Sequence, residues 1–281
     1  MNEVGRRGPR ILVFDSGLGG LTVLAQVRKA RPDAALVYAA DDAAFPYARL
    51  GESELVSRVA SVMERLVADH APDLVVIACS TASTLVLGPL RARFPALPFV
   101  GTVPAIKPAA AASKSRLISV LATTGTVARD YTQALVREYA GDCQVTLVGS
   151  RHLARLAEDG MRGLALDDAE IVREIAPCFV ENQGRRTDVV VLACTHYPLL
   201  LDRLTRLAPW PVDYIDPAPA IARRVDALLG PGDRTNPYGF APGPAIFTSG
   251  AAPEGALQTA LREFGLAAAP VDPKVFAFSR T

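Results

Sequence analysis

Two stretches of the chain share one pattern of apolar and polar positions. Asp188-Val-Val-Val-Leu-Ala-Cys194-Thr195-His196-Tyr197-Pro198 opens on an acid, runs through four apolar residues, three of them β-branched, and ends on a cysteine and a hydroxyl. Asp73-Leu-Val-Val-Ile-Ala-Cys79-Ser80-Thr81 repeats the plan 115 positions earlier. Short unbroken apolar runs of this kind predict buried strands of a parallel sheet. A helix is expected after each. Ala82 to Phe94 follows the first run. After the second, Pro198 suits a first helical turn, and Leu200, Leu204 and Leu207 form one apolar face. Each cysteine therefore stands at the carboxyl end of a strand and the amino end of a helix. That edge of an open α/β sheet is where ligands bind, and free N–H groups there favour anions.

The same alternation runs through the rest of the chain. Strands are expected at Arg10–Asp15, Ala35–Ala40, Pro98–Gly101, Arg116–Ala122, Gln144–Val148, Val212–Asp216 and Ala245–Gly250. Helices are expected at Leu21–Ala30, Glu52–Asp69, Val127–Tyr139, Asp167–Asn182 and Ala218–Leu229, with a short one from His152 closed by Gly160. Gly230 to Pro244 reads as a turn-dense connector. The fold class is α/β with mostly parallel sheets. The repeated strand–Cys–hydroxyl unit predicts two similar halves facing each other across a cleft, each supplying one thiol.

Two glycine- and hydroxyl-rich turns occupy matching places in the halves, Asp15-Ser16-Gly17-Leu-Gly19-Gly20 and Thr123-Thr-Gly-Thr126. The first is not a GxGxxG fingerprint, because Thr22 stands where the third glycine belongs. Such a turn can still bring backbone N–H groups to a carboxylate. Asp15 is either a cap for its turn or part of the chemistry. Phe45-Pro46-Tyr47-Ala48 reads as a loop able to reach over the site.

Composition narrows the function. With 281 residues, half of them hydrophobic, the chain can bury one large core or two ordinary ones. A net charge of +1 without a long basic run argues against nucleic acid as the main partner. Arg28 to Arg31 and Arg185-Arg186 read as solvated helix ends and loops. No apolar run predicts a membrane span, and the first ten residues carry no signal-peptide pattern. Four cysteines without a CxxC pair give no metal-ligand spacing and fit a reducing compartment.

A single strand-end cysteine is commonly a small core hydrophobe. A Cys–His hydrolase would use Cys194 with His196 and leave the twin idle. Inverting an amino-acid α-carbon uses both thiols, one removing the proton from one face and the other returning a proton on the opposite face. Racemases that use pyridoxal phosphate need a lysine Schiff base. The four lysines, at 29, 107, 114 and 274, follow no phosphate-cradling motif, which favours a route without a cofactor.

Phe14-Asp15-Ser16-Gly17-Leu-Gly-Gly20-Leu21-Thr22, Ala78-Cys79-Ser80-Thr81-Ala82 and Ala193-Cys194-Thr195-His196-Tyr197-Pro198 resemble the three signature segments of the glutamate racemases, in the cofactor-independent Asp/Glu racemase superfamily. The likeness spans about residues 10 to 250. It implies two α/β domains around a central cleft, here 1–103 with 215–281 and 104–214. It implies acid/base roles for Cys79 on the D-enantiomer and Cys194 on the L-enantiomer, with Asp15, His196 and Glu158 assisting. Asp15, Ser16, Tyr47, Ala48, Ser80, Thr81, Thr195 and His196 would hold glutamate. The resemblance further implies a bacterial cytoplasmic isomerase, needing no cofactor or metal, often a homodimer, that supplies D-glutamate for peptidoglycan. An aspartate racemase, another two-cysteine isomerase and a non-catalytic binder are the alternatives. Three positions depart from the family pattern. Ser80 stands for the usual Asn, Ala48 for Gly, and Ala44-Phe45 where an Arg often precedes Pro-Tyr. Ser80 keeps a hydrogen-bonding group without the amide pair, which bears on affinity and selectivity.

Overall fold

The computed structural model describes residues 8–232 and 242–277. Its first unit opens with β1 (Arg10–Asp15), α1 (Gly20–Ala30), β2 (Ala35–Ala40), α2 (Glu52–His70), β3 (Leu74–Ile77), α3 (Ser80–Arg93) and β4 (Phe99–Gly101). The chain then builds a second unit from α4 (Ile106–Ala112), β5 (Leu117–Thr123), α5 (Thr124–Val127), α6 (Asp130–Tyr139), β6 (Gln144–Ser150), α7 (Leu153–Met161), α8 (Asp168–Ile175), a hairpin of β7 (Glu181–Asn182) and β8 (Arg185–Arg186), β9 (Val189–Ala193), α9 (Leu201–Leu207) and β10 (Asp213–Ile215). It returns through α10 (Ala218–Leu229), β11 (Gly243–Phe247), α11 (Gly255–Glu263) and β12 (Leu266–Ala268).

Two parallel sheets result. The first has the order β12-β11-β2-β1-β3-β4, the second β10-β9-β5-β6. Both are covered on both faces, which is why their strands read as unbroken apolar runs. Along β1, Ile11 and Val13 point to one face and pack with Leu21, Leu24 and Val27 of α1 and Ile221 and Val225 of α10. Leu12 and Phe14 point to the other and pack with Leu55, Val59 and Leu66 of α2 and Val86 and Leu90 of α3. The second sheet is covered by α7 and α8 on one side and by α4 and part of α6 on the other. The two acids that open the cysteine strands do the same work. Asp73 accepts the N–H of Arg10 at the start of β1, and Asp188 accepts those of Lys114 and Ser115 just before β5.

The expected elements hold in kind and shift in extent. The helix placed at 127–139 is two helices, because Thr123 caps a single turn by accepting the Thr126 N–H and the chain bends at Arg129. The helix placed at 167–182 ends at Ile175. Pro177 lacks the N–H to continue it, and only a 3-10 turn follows. The rest of that stretch is the β7–β8 hairpin, whose turn residues Gln183 and Gly184 both have positive φ. The helix after Cys194 begins as a 3-10 turn, Tyr197–Leu200, before α9. Gly160 lies inside α7, and the left-handed residue after that helix is Gly163. The strand placed at 245–250 stops at Phe247. Arg31 is not solvated but buried, its guanidinium paired with both oxygens of Asp33. The helix α4, and α11 with β12, were not expected. Part of the expected connector, 233–241, lies outside the described residues.

The loop after β2 is held by a buried ion pair. Asp41 accepts from Arg58 of α2, from the Tyr47 hydroxyl at 2.6 Å and from the Thr248 hydroxyl at 2.7 Å. Removing one partner of such a pair leaves a buried charge without compensation. Asp41→Ala is expected to destabilise the protein by about 3–5 kcal/mol. Asp69→Ala, which removes the exposed pair with Arg65, is expected to cost no more than about 0.5 kcal/mol. Urea denaturation of the two variants checks the contrast, and equal midpoints would refute it.

Candidate active site

The carboxyl ends of the two sheets face one cleft. Ser16, Phe45, Pro46, Tyr47, Ala48, Cys79, Ser80, Thr81, Thr123, Ala154, Cys194, Thr195 and His196 line it. Both thiols are there, Cys79 at the N-terminus of α3 and Cys194 just past β9. All the predicted site residues converge on it except that Asp15 and Glu158 stand one layer behind. The cavity is about 20 Å³, room for about one water molecule. A larger void of about 400 Å³, between Glu54, Arg58, Ser249 and Phe276, contains none of these residues.

The glycine turn after β1 is pressed against the second unit, and this explains its composition. A Cβ at Gly19 would lie 2.6 Å from both His196 Nδ1 and Thr195 Oγ1, and one at Gly17 would overlap Glu158 Oε1. Bonds cross the gap at several places, among them the Thr22 hydroxyl to the Thr195 carbonyl at 3.3 Å and Arg129 to Glu52. The Leu18 N–H donates to Glu158 Oε1 at 2.5 Å. The Thr195 hydroxyl donates to Asp15 Oδ2 at 3.0 Å. The Thr81 and Thr123 hydroxyls meet at 3.2 Å.

The two thiols have different surroundings. Cys194 Sγ is 3.8 Å from His196 Nδ1, and His196 Nε2 is 2.9 Å from Glu158 Oε1. Burial works against charge on His196, but its bonds to Cys194 and Glu158 and the charge of Asp15 prevail and raise its pKa well above the ordinary value. Burial alone would raise Glu158, yet His196, the Leu18 N–H and Arg162 hold it below the ordinary range. These two directions describe an imidazolium bonded to a carboxylate, both ring nitrogens donating. Cys79 lies 3.7 Å from Ser16 Oγ. Burial, then the charge of Asp15, push its thiol upward, against the Ala82 N–H and Ser16. Burial also raises Asp15, opposed by His196 and the Ser16 N–H. Asp15 is thus both a turn cap, accepting from Ser16 N at 2.7 Å, and a bridge to Thr195.

Ser80 carries a further signal. Its Oγ is buried, lines the cleft and has no hydrogen-bond partner among the described residues. Buried hydroxyls are nearly always satisfied, so an unsatisfied one at the cleft stands out. The Tyr47 hydroxyl is spent on Asp41. Tyr47 and Ala48 both line the cleft. Sequence reasoning did not list Phe45, Thr123 or Ala154 as site residues. Thr123 had a signal, its place in the turn that mirrors Asp15-Ser16. Elsewhere, His152 is half exposed between Glu170 and Glu174, and Cys178 is a core residue whose thiol burial pushes up to about 12. Among the described residues no group of three or more His, Cys, Asp or Glu could hold a metal, and no helix is long and apolar enough to cross a membrane.

Residues 21–225 match the family model described as Asp/Glu/Hydantoin racemase. The glutamate racemase of Sinorhizobium medicae is 54% identical over 265 residues, covering 93% of this chain and 96% of the relative. That of Agrobacterium fabrum is 52% identical over 257 residues, covering 91% and 93%. Among solved structures, Escherichia coli glutamate racemase in complex with L-glutamate and the activator UDP-MurNAc-Ala is 36% identical, with a TM-score of 0.84 over 93% of this chain and 97% of that one.

The Glu158–His196 pair makes stability depend on pH. The raised His196 contributes fully below about pH 6.5 and loses its contribution as pH rises through the higher folded value. The lowered Glu158 contributes fully above about pH 4.5 and loses it as pH falls through the lower folded value. Glu158→Gln should therefore cost most stability between about pH 4.5 and 6.5, and less on either side. Denaturant unfolding of both proteins across pH checks this. A difference that does not vary with pH would refute it.

Proposed function

The chain belongs to the Asp/Glu/Hydantoin racemase family, and we propose that it interconverts L- and D-glutamate by two-base proton transfer. One observation carries the reading: two cysteines from two different sheets line one cleft. The L-enantiomer gives its α-proton to the Cys194 sulfur, which the His196 imidazolium faces. The Cys79 thiol, kept neutral by burial and by Asp15, returns a proton on the opposite face. The D-enantiomer runs the steps in reverse. The N–H groups at the start of α3, the Ser80 hydroxyl, Ser16, Thr81, Thr195 and the Tyr47–Ala48 backbone hold the carboxylates and amine. Asp15 and Glu158 act from behind, Asp15 through Thr195 and Glu158 through His196. The halves of the molecule are 1–103 with 215–281 and 104–214. Sheet membership supports this division to within one residue, since Ile215 still closes the second sheet. The reading extends to a cytoplasmic homodimer that supplies D-glutamate for peptidoglycan and needs no metal or cofactor.

A second reading has a specific observation behind it. Cys194, His196 and Glu158 form a linear chain of the kind that activates a single nucleophile. It leaves Cys79 without a task.

The test is circular dichroism of L- and D-glutamate, and separately of aspartate, with purified protein dialysed against chelator and free of pyridoxal phosphate. Glutamate should racemise faster than aspartate, and equal or faster turnover of aspartate would overturn the substrate assignment. Cys79→Ser and Cys194→Ser should each lose roughly 10²–10⁴-fold in racemisation, because a hydroxyl is a far weaker acid than a thiol. Each should still bind glutamate and exchange the α-proton of one enantiomer only, opposite in the two variants. Loss confined to Cys194→Ser would favour the single-nucleophile reading.

A further inference from the structure

Behind the cleft lies an outer pocket of about 270 Å³, lined by Asp42, Phe45, Arg155, Glu158, Asp159 and Arg162. It is wide enough for several water molecules, whereas the cleft has room for about one. Phe45 lines both. Its ring centroid is 5.4 Å from that of His196, with the planes tilted by 43°. Glu158 also spans the boundary. Its Oε1 is bonded to His196 and the Leu18 N–H, and its Oε2 to Arg162, which lines the outer pocket.

We propose that Phe45 is a positioning residue for proton transfer, the partition that keeps water in the outer pocket from reaching the Cys194–His196–Glu158 chain. The inference rests on the racemase reading above. An aromatic ring suits the place twice over. It excludes water from a buried charge pair, which strengthens that pair. It also lies within the range at which a cation is attracted to an aromatic face, which fixes the imidazolium plane. This is a place where the chain departs from the family pattern, with Ala44-Phe45 where an arginine is often found.

The consequence is chemical. When Cys194 takes the α-proton of L-glutamate, a thiol and a carbanion form. If the thiol is sealed from water, reversal returns the same proton. If water reaches it, a solvent proton replaces that one first. The Cys79 thiol is bonded to Ser16 and the Ala82 N–H and not to the His196 ring that Phe45 packs on, so its protonation depends less on Phe45.

The experiment incubates the full-length protein in D₂O with L- and with D-glutamate separately. It reads racemisation and the deuterium in the recovered starting enantiomer. Phe45→Ala should lower racemisation about tenfold by loosening the imidazole. It should raise deuterium in recovered L-glutamate severalfold per turnover, with recovered D-glutamate unchanged. Phe45→Leu should restore near wild-type behaviour. Should thermal melting show Phe45→Ala unfolded, Phe45→Leu and Phe45→Val carry the test, with exchange into L-glutamate rising as side-chain area falls. A racemising wild type whose Phe45 variants leave recovered L-glutamate unlabelled, or label both enantiomers equally, overturns the inference alone. A wild type that neither exchanges nor racemises glutamate overturns the underlying reading and the inference with it.

Discussion

One carboxylate oxygen, Glu158 Oε1, holds the two halves of the molecule in register. It accepts the Leu18 N–H from the first unit and faces His196 Nε2 of the second. A buried carboxylate is costly unless its lone pairs are used, and here the second oxygen is taken by Arg162. The arrangement constrains the residues around it. Gly17 and Gly19 cannot carry a Cβ, because Glu158, Thr195 and His196 already occupy the space. Glu158 must lie on the inner side of α7, and His196 must leave β9 pointing at it. The charge on His196 draws on this bond together with its contacts to Cys194 and the charge of Asp15.

The two halves are alike in frame and unlike in chemistry. Asp73 and Asp188 tie their neighbouring strands in the same way, and each cysteine leaves its strand at the same edge. The surroundings of the thiols then diverge. Cys194 faces a cation, while Cys79 faces a hydroxyl, an amide and the negative field of Asp15. Two equivalent sulfurs would compete for the same protonation state. On the proposed two-base reading, unequal surroundings let one be the acid while the other is the base.

The frame was legible because parallel strands buried on both faces have a strong signature, and β1, β2, β3 and β9 lie within a residue or two of where the apolar runs put them. The site was legible where motif residues stand directly at strand ends, as Asp15, Cys79 and Cys194 do. What escaped was decided by tertiary contact or by turn chemistry. Pro177 and the Gln183-Gly184 turn cut a helix that periodicity alone would continue. Arg31 is buried because Asp33, two residues on, curls back to pair with it. Phe45 packs on a residue 151 positions away, and nothing local announces it. The Tyr47 hydroxyl is bonded to Asp41, a buried partner that nothing local to Tyr47 announces.

The contacts between the halves are also unequal in strength, and this orders how the cleft opens. A cavity of about 20 Å³ cannot take a dicarboxylic amino acid, so on the proposed reading the halves separate for substrate to enter. At the Glu158 side the crossing contacts are the Leu18 N–H to Glu158 and the Thr195 hydroxyl to Asp15, both made to carboxylates, and these are the stronger kind of hydrogen bond. At the Thr81–Thr123 side they are a pair of neutral hydroxyls and the Arg129–Glu52 ion pair, whose carboxylate is exposed, and both can exchange their partners for water at little net cost. The hydroxyl edge therefore parts first while the Glu158 edge holds. The groups uncovered there, Thr81 and Thr123 beside the unpartnered Ser80 hydroxyl, are donors suited to a carboxylate. An entering anion can then restore across the cleft, through itself, the contact that its entry broke.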